Sequence, residues 1–430
     1  MKNLLFLLLI IFSFAAIGQD VKPKETLVEF YGFVRLDSYM DTYKSVDAGH
    51  DMFYLLPKYN MISGVEANKQ TSSHLTPVAS RLGVKVNFPE ILKAKVTGLF
   101  EFDFAGNLKT DPTLFRILQA NSVLTWEKSS LLLGQTWHPF FGGSCVPVVA
   151  GINTGAPFNS FNRSPMIRYN MKFGGLTASA SVLSEIQYTS PMMEDNPGLV
   201  GPNPPPSLLT PNHAKRNGVI PELVISAEWT KNAVTLGAGA EYKVIKPRMI
   251  FAGTDVKLNS ISNEFLNSTA FMGYSRYKKN KLMILSKGFY GENMSHMILP
   301  GGYGVATYDA TSGKETYTSY RTLTSMLNIV YGQKWQFGLF AGYGKNLGTN
   351  DALVGFEGKA KTKGLFTDMQ NMYRVAPHVS LNLPKFKLIA EYEYTSANYG
   401  TGAIKLANGL YNSTHKTVNN RVIIAVSHFF

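Results

Sequence analysis

Residues 81–104 read RLGVKVNFPEILKAKVTGLFEFDF. Apolar side chains fall on every second position, Leu82, Val84, Val86 and Phe88 and then Ala94, Val96, Phe100, Phe102 and Phe104. Between them stand Arg81, Lys85 and Asn87, then Lys95, Thr97, Glu101 and Asp103. A period of two is the mark of a strand whose faces meet different surroundings. The short break at PEI is the length of a hairpin turn. The stretch is therefore two antiparallel strands sharing one apolar and one polar face.

The same pattern recurs along the chain. In LVEFYGFVRLDSYMD, Val28, Phe30, Val34, Leu36 and Met40 oppose Glu29, Arg35, Asp37 and Asp41. In FKLIAEYEYT, Leu388, Ala390, Tyr392 and Tyr394 oppose Lys387, Glu391 and Glu393. Sixteen such segments are expected, at 27–41, 79–89, 93–104, 113–127, 130–137, 164–172, 175–187, 220–230, 233–246, 264–278, 281–292, 317–331, 334–345, 367–383, 386–396 and 418–430. The fourth, tenth and twelfth have ambiguous faces.

Connections of two or three residues (PEI, KS, FG, KN, KN, GQ, PK) alternate with longer ones at 42–78, 105–112, 138–163, 188–219, 247–263, 293–316, 346–366 and 397–417. A sandwich would bury one face and a propeller would repeat; neither pattern is present. An even number of antiparallel strands, trimmed at one end and looped at the other, predicts an all-β fold: a transmembrane antiparallel β-barrel with short periplasmic turns and long extracellular loops. Barrel closure pairs every backbone group, as hydrocarbon requires. Aromatic residues support the orientation. Phe88, Trp126, Trp229, Tyr331, Trp335 and Phe386 fall beside short turns, and Tyr343, Tyr394 and Trp137 toward long loops, as two interfacial girdles.

The chain begins MKNLLFLLLIIFSFAAIG, with Lys2, an apolar run from Leu4 to Phe14, and Ala16 and Gly18 placed for cleavage before Gln19. Residues 1–18 read as a secretory signal peptide, leaving 19–430 as a single barrel domain. Export makes nucleic acid an improbable partner for the net charge of +13; anionic solutes and anionic headgroups suit it better. Cys145 is the lone cysteine, so there is no internal disulfide framework, and no His/Asn context marks it as a nucleophile.

A sixteen-stranded barrel is wide enough for an aqueous lumen, which predicts passive diffusion of small hydrophilic solutes. The connection 138–163, HPFFGGSCVPVVAGINTGAPFNSFNR, is expected to fold inward and narrow the channel. It contains no acidic residue and ends on Arg163. Closure would set Arg421, Arg35, Arg81 and Lys85 on three adjacent strands, with Arg168 and Arg374 also inward. Basic lining lowers the barrier to anions, so these seven residues are the expected pore-lining, anion-binding set. Asp37, Glu391 and Glu393 are inward neighbours able to pair with them. The final strand, NNRVIIAVSHFF, puts Val422, Ile424, Val426 and His428 on an apolar face ending at Phe430. It is similar to the terminal signature that barrel-assembly machinery recognises. On its other face, Ala425 and Ser427 are small enough to admit another chain segment packed inside.

VEFYGFVRLDSYMDTY at 28–43, LLLGQTWHPFF at 131–141 and RVAPHVSLNL at 374–383 resemble the DcaP-type trimeric porins of Gram-negative outer membranes. The resemblance implies a homotrimer of sixteen-stranded subunits, set among outer-membrane lipid and lipopolysaccharide, that takes up small organic anions such as dicarboxylates. Some members of that family carry an additional N-terminal helical segment, whereas here QDVKPKE alone separates the leader from the first strand. Two other classes compete with a porin, a surface receptor or adhesin and a barrel-embedded hydrolase. No zinc spacing, Walker sequence or serine elbow supports an enzyme, and no cofactor or metal is indicated. An energised transporter would need 22 strands and a plug.

Overall fold

The computed structural model describes residues 27–47, 53–106, 114–193, 213–356 and 359–430; the leader expected at 1–18 lies outside them. Sixteen strands form one wall: β1 Leu27–Asp41, β2 Arg81–Ile91, β3 Ala94–Asp103, β4 Arg116–Thr125, β5 Ser129–Trp137, β6 Arg163–Phe173, β7 Leu176–Leu183, β8 Glu222–Lys231, β9 Val234–Ile245, β10 Leu266–Lys279, β11 Leu282–Glu292, β12 Glu315–Gly332, β13 Trp335–Thr349, β14 Met369–Leu383, β15 Phe386–Lys405 and β16 Leu410–Phe429. Each pairs antiparallel with its neighbour, and β16 returns to β1 in a register running from Phe33↔Phe429 to Asp41↔Arg421. The closed sheet exposes no strand edge to lipid.

Alternation sets the two faces as expected. Val28, Phe30, Val34, Leu36 and Met40 are exposed on the outside, while Asp37 and Asp41 are buried within. In β16, Val422 and Ile424 face outward and Ile423 and Ala425 are buried. Among the described residues no helix is long and apolar enough to cross a membrane; the strands carry the apolar belt. Tight turns close one end, two of them on Asn232 and Asn280 with left-handed φ of 54°, a conformation asparagine tolerates. Phe88, Trp229, Tyr331 and Trp335 are exposed beside those turns. Trp137 departs from the expected girdle: it points into the barrel, with its ring centroid 3.9 Å from that of Phe141. The strand period cannot reveal this, because Trp137 is the last residue of its strand, where the chain turns inward.

The largest departure is at 397–417. This segment is not a loop: β15 and β16 continue as a paired ribbon to Lys405↔Leu410, leaving 406–409 as the turn. Beyond the bilayer neither face needs to be apolar, so the hydrophobic period fades while the backbone ladder persists. The wall is accordingly uneven. Strands β2–β8 have 8–11 residues, and β12–β16 have 15–20.

The inside also differs from an open aqueous lumen. Among the described residues, the connection 138–162 and the segments 53–57 and 293–300 enter it, and Tyr188 reaches in beside Phe53 and Phe161. Phe53, Leu55, Leu56, Phe141, Phe158 and Phe161 pack with the wall residues Leu285, Met326, Phe340 and Met372 as one apolar cluster. Tyr54 and Ala150 pack on Ile423 and Ala425, which is the reason β16 carries small apolar residues on its inner face. Glycines in the wall admit the intruding rings. A Cβ at Gly342 would lie 2.3 Å from the Phe158 ring.

Candidate functional site

The connection 138–162 has no carboxylate, and it is held through its backbone. Five wall cations donate to carbonyls at its root and along its length: Arg168 to Trp137 (2.9 Å), Lys287 to Phe141 (2.7 Å), Arg276 to Ser144 (2.8 Å), Arg35 to Ala150 (2.7 Å) and Arg374 to Ala156 (3.0 Å). Hydrogen bonds of this charge-assisted kind contribute roughly 1.5–3 kcal/mol each. In return, Asn328 Oδ1 accepts from the Val148 N–H and Glu391 Oε2 from the Ala150 N–H. Basic side chains thus position a loop that carries no charge of opposite sign.

Between this loop and the short wall lies a cavity of about 390 Å³, lined among others by Arg35, Arg81, Arg116 and Arg163, with Asp103. Aromatic rings of Phe33, Phe53, Trp137, Phe141, Phe161 and Tyr188 complete it. Two of the guanidinium groups are neutralised. Arg116 grips Asp103 through two bonds of 2.9 and 2.6 Å. Arg35 holds Asp37 at 2.6 Å. Arg81 is only loosely paired, 3.6 Å from Glu101, and that carboxylate already accepts from Tyr31 and Gln119.

Arg163 is different. It is 2% exposed, yet none of its ion pairs lies among the described residues. Its guanidinium lies 3.7 Å over the Trp137 ring and 5.3 Å from Phe161, and its polar partner is Gln187 at 3.3 Å. The Nε groups of Arg81 and Arg163 have no hydrogen-bond acceptor. Stacking on aromatic faces stabilises a cation without satisfying its donors, so these two buried Nε groups stay without an acceptor.

Of the seven residues expected to line the pore, the cavity brings together Arg35, Arg81 and Arg163. Lys85 lies lower on β2, half-exposed, 3.7 Å from Glu29 and 4.8 Å over the Tyr31 ring. Arg168 faces Ser181 and the loop root. Arg374 is buried and donates to Leu55, Ala156 and Thr395, with Glu393 at 3.8 Å. Arg421 binds Asp41, Ser45 and Glu393 and covers the Tyr54 ring. These last three hold the inward segments rather than facing open space. Arg116 and the aromatic lining went unread. The fourth segment has an ambiguous face, although Asp103 and Arg116, flanking one link, pair directly across β3 and β4.

Cys145 is fully buried in the same loop. Burial pushes its thiol up to about 12, which keeps it protonated and inert.

No protein-family model and no curated relative matches the chain. Solved structures do match. The outer-membrane channel DcaP of Acinetobacter baumannii superposes with a TM-score of 0.64 at 15% identity, covering 94% of this chain and 97% of that one. OmpT, an outer-membrane protein of Vibrio cholerae, does so with a TM-score of 0.54 at 11% identity over 96% and 100%. An anion-selective porin from Comamonas acidovorans gives 0.53 at 11% over 94% and 100%. At these identities the likeness is one of architecture: the chain has the sixteen-stranded barrel fold of outer-membrane porins.

Proposed function

We propose that this chain is an outer-membrane porin through which small hydrophilic solutes diffuse passively, with a preference for organic anions such as dicarboxylates. The observation that carries the preference is Arg163, a buried guanidinium with an unpaired Nε beside a loosely paired Arg81. A solute carboxylate would accept from both, and the Trp137, Phe141 and Phe161 faces would shed water from its carbon skeleton. The porin architecture of the structural neighbours supports the channel reading. In this reading residues 1–18 are removed on export, the short turns are periplasmic, and the barrel-assembly machinery takes the strand ending at Phe430. Three copies associate through the lipid-facing belt amid lipid and lipopolysaccharide. Lys85 then serves as a lower station on the exit path, and Arg168, Arg374 and Arg421 keep the constriction in place.

A planar-bilayer recording under a salt gradient tests this reading. The expected reversal potential has the sign of anion selectivity, and cation selectivity would overturn the preference. Liposome swelling tests the channel itself: absence of flux for every small solute would leave a surface receptor or adhesin as the better account.

A further inference from the structure

Beside the arginine cavity, past Trp137 and Asn162, four side chains from distant parts of the chain converge. They are His138 at the root of the inward connection, Glu222 at the start of β8, Glu241 in β9 and His296 in the 3-10 turn Met294–Met297. All four are at most 4% exposed, and one ligand atom from each lies within 4.8 Å of the others. Three buried atoms here have no hydrogen-bond partner: Glu222 Oε2, Glu241 Oε2 and His296 Nε2. His296 Nε2 is 3.8 Å from Glu222 Oε2, too far for a hydrogen bond, and 3.1 Å from Glu241 Oε1 without hydrogen-bond alignment. Buried polar atoms left unpaired in this way are costly.

Charge points the same way. Glu185, Glu222 and Glu241 are buried carboxylates, and the ammonium groups packed among them are Lys243 and Lys215. Among the described residues, three buried carboxylates thus face two ammonium groups and two imidazoles. We propose that Glu222, Glu241 and His296 bind one divalent first-row transition ion of the zinc class, with His138 as the outer partner that fixes Glu222.

The geometry assigns the roles. His138 Nδ1 accepts the Phe140 N–H, so its proton is on Nε2, which faces Glu222 Oε1 at 2.5 Å. That leaves Glu222 Oε2 as the donor to the ion, in the arrangement by which outer hydrogen bonds orient metal carboxylates. His296 presents Nε2, and its Nδ1 lies 2.6 Å from Lys243 Nζ. Lys243 also donates to Ser190 Oγ and the Asn293 carbonyl. Binding through Nε2 places the imidazole proton on Nδ1, so the Lys243 ammonium would turn from the ring to its other two acceptors, Ser190 Oγ and the Asn293 carbonyl. Ligands about 2.0–2.2 Å from an ion stand roughly 3.1–3.8 Å apart at angles of about 95–130°, and His296 Nε2 stands 3.8 and 3.1 Å from the two carboxylates. An imidazole among carboxylates favours zinc-class ions over calcium or magnesium. The ion would fasten the inward connection and the 293–300 segment to β8 and β9, independently of which solute the channel passes.

The test uses the untagged full chain, folded in detergent and stripped of metal with a chelator. Titration with Zn²⁺ is expected to show one ion per chain and a raised thermal midpoint, and Co²⁺ a visible d–d band. Glu241→Gln and His296→Gln should abolish binding, and His138→Gln should weaken it by roughly 10–100-fold. Heat-modifiable gel mobility establishes that each variant is a closed barrel. Failure of the wild type to bind Zn²⁺, equal binding by both ligand variants, or equal affinity for Ca²⁺ would each overturn the proposal.

Discussion

The lumen contains two regions of opposite character, built on the two ends of one connection. Residues 146–161 face Arg35, Arg81, Arg116 and Arg163 around one cavity; His138 joins Glu222, Glu241 and His296 in a fully buried cluster. The difference lies in what can balance each. A guanidinium keeps its charge at any accessible pH, so in the proposed function Arg163 is answered by an anion from solution. Carboxylates and imidazoles can be answered by a proton or an ion, and where burial is complete the counter-charge stays. On the two proposals made above, an excess of one sign serves passage at the arginine cavity and fastening at the His138 cluster.

Displacing the shared connection should disrupt both regions at once. Gly342→Val drives a side chain into the Phe158 ring and is expected to free the loop. Cys145, whose thiol burial holds protonated in the folded protein, should then change from inert to alkylated at least about 10-fold faster, with a larger single-channel conductance. Separating the regions comes next. Arg81→Gln with Arg163→Gln should lower the anion-to-cation permeability ratio by roughly 5–10-fold, whereas Glu222→Gln should leave that ratio within about 2-fold. Asp103→Asn, which releases Arg116 from its 2.6 Å pair, should raise the ratio by about 2-fold. Lys85→Gln is the smallest effect, under about 1.5-fold, because Lys85 is solvated and paired with Glu29. An equal response to Lys85 and Arg163 changes would remove the distinction between the cavity and the rest of the wall.

The barrel was legible because lipid imposes alternation on every strand that crosses it, and hairpin turns punctuate the alternation. All sixteen segments are strands. Where lipid ends, so does the signal: the ribbon beyond residue 396 has no apolar face to display it. The site was legible in part. Arg35 and Arg81 follow from the strand period, and Arg163 from the composition of its loop. Arg116 sits beside Leu114 and Phe115, where two adjacent apolar residues obscure the face. Phe53 and Tyr188 reach the cavity from irregular segments, which have no period to read. His138 and Glu222 are 84 positions apart, and only the curvature of the wall brings them together.

The seam between β1 and β16 has a consequence for assembly. It joins Phe33 to Phe429, nearly the full length of the chain, so it is the pairing with the greatest loop-closure cost and belongs to the end of the folding sequence. Tyr54 and Ala150 pack directly against its inner surface, on Ile423 and Ala425. The inward segments must therefore be in position as the last strand docks. The two ends of the chain meet over them, and the filling of the channel acts as the template on which its wall is completed.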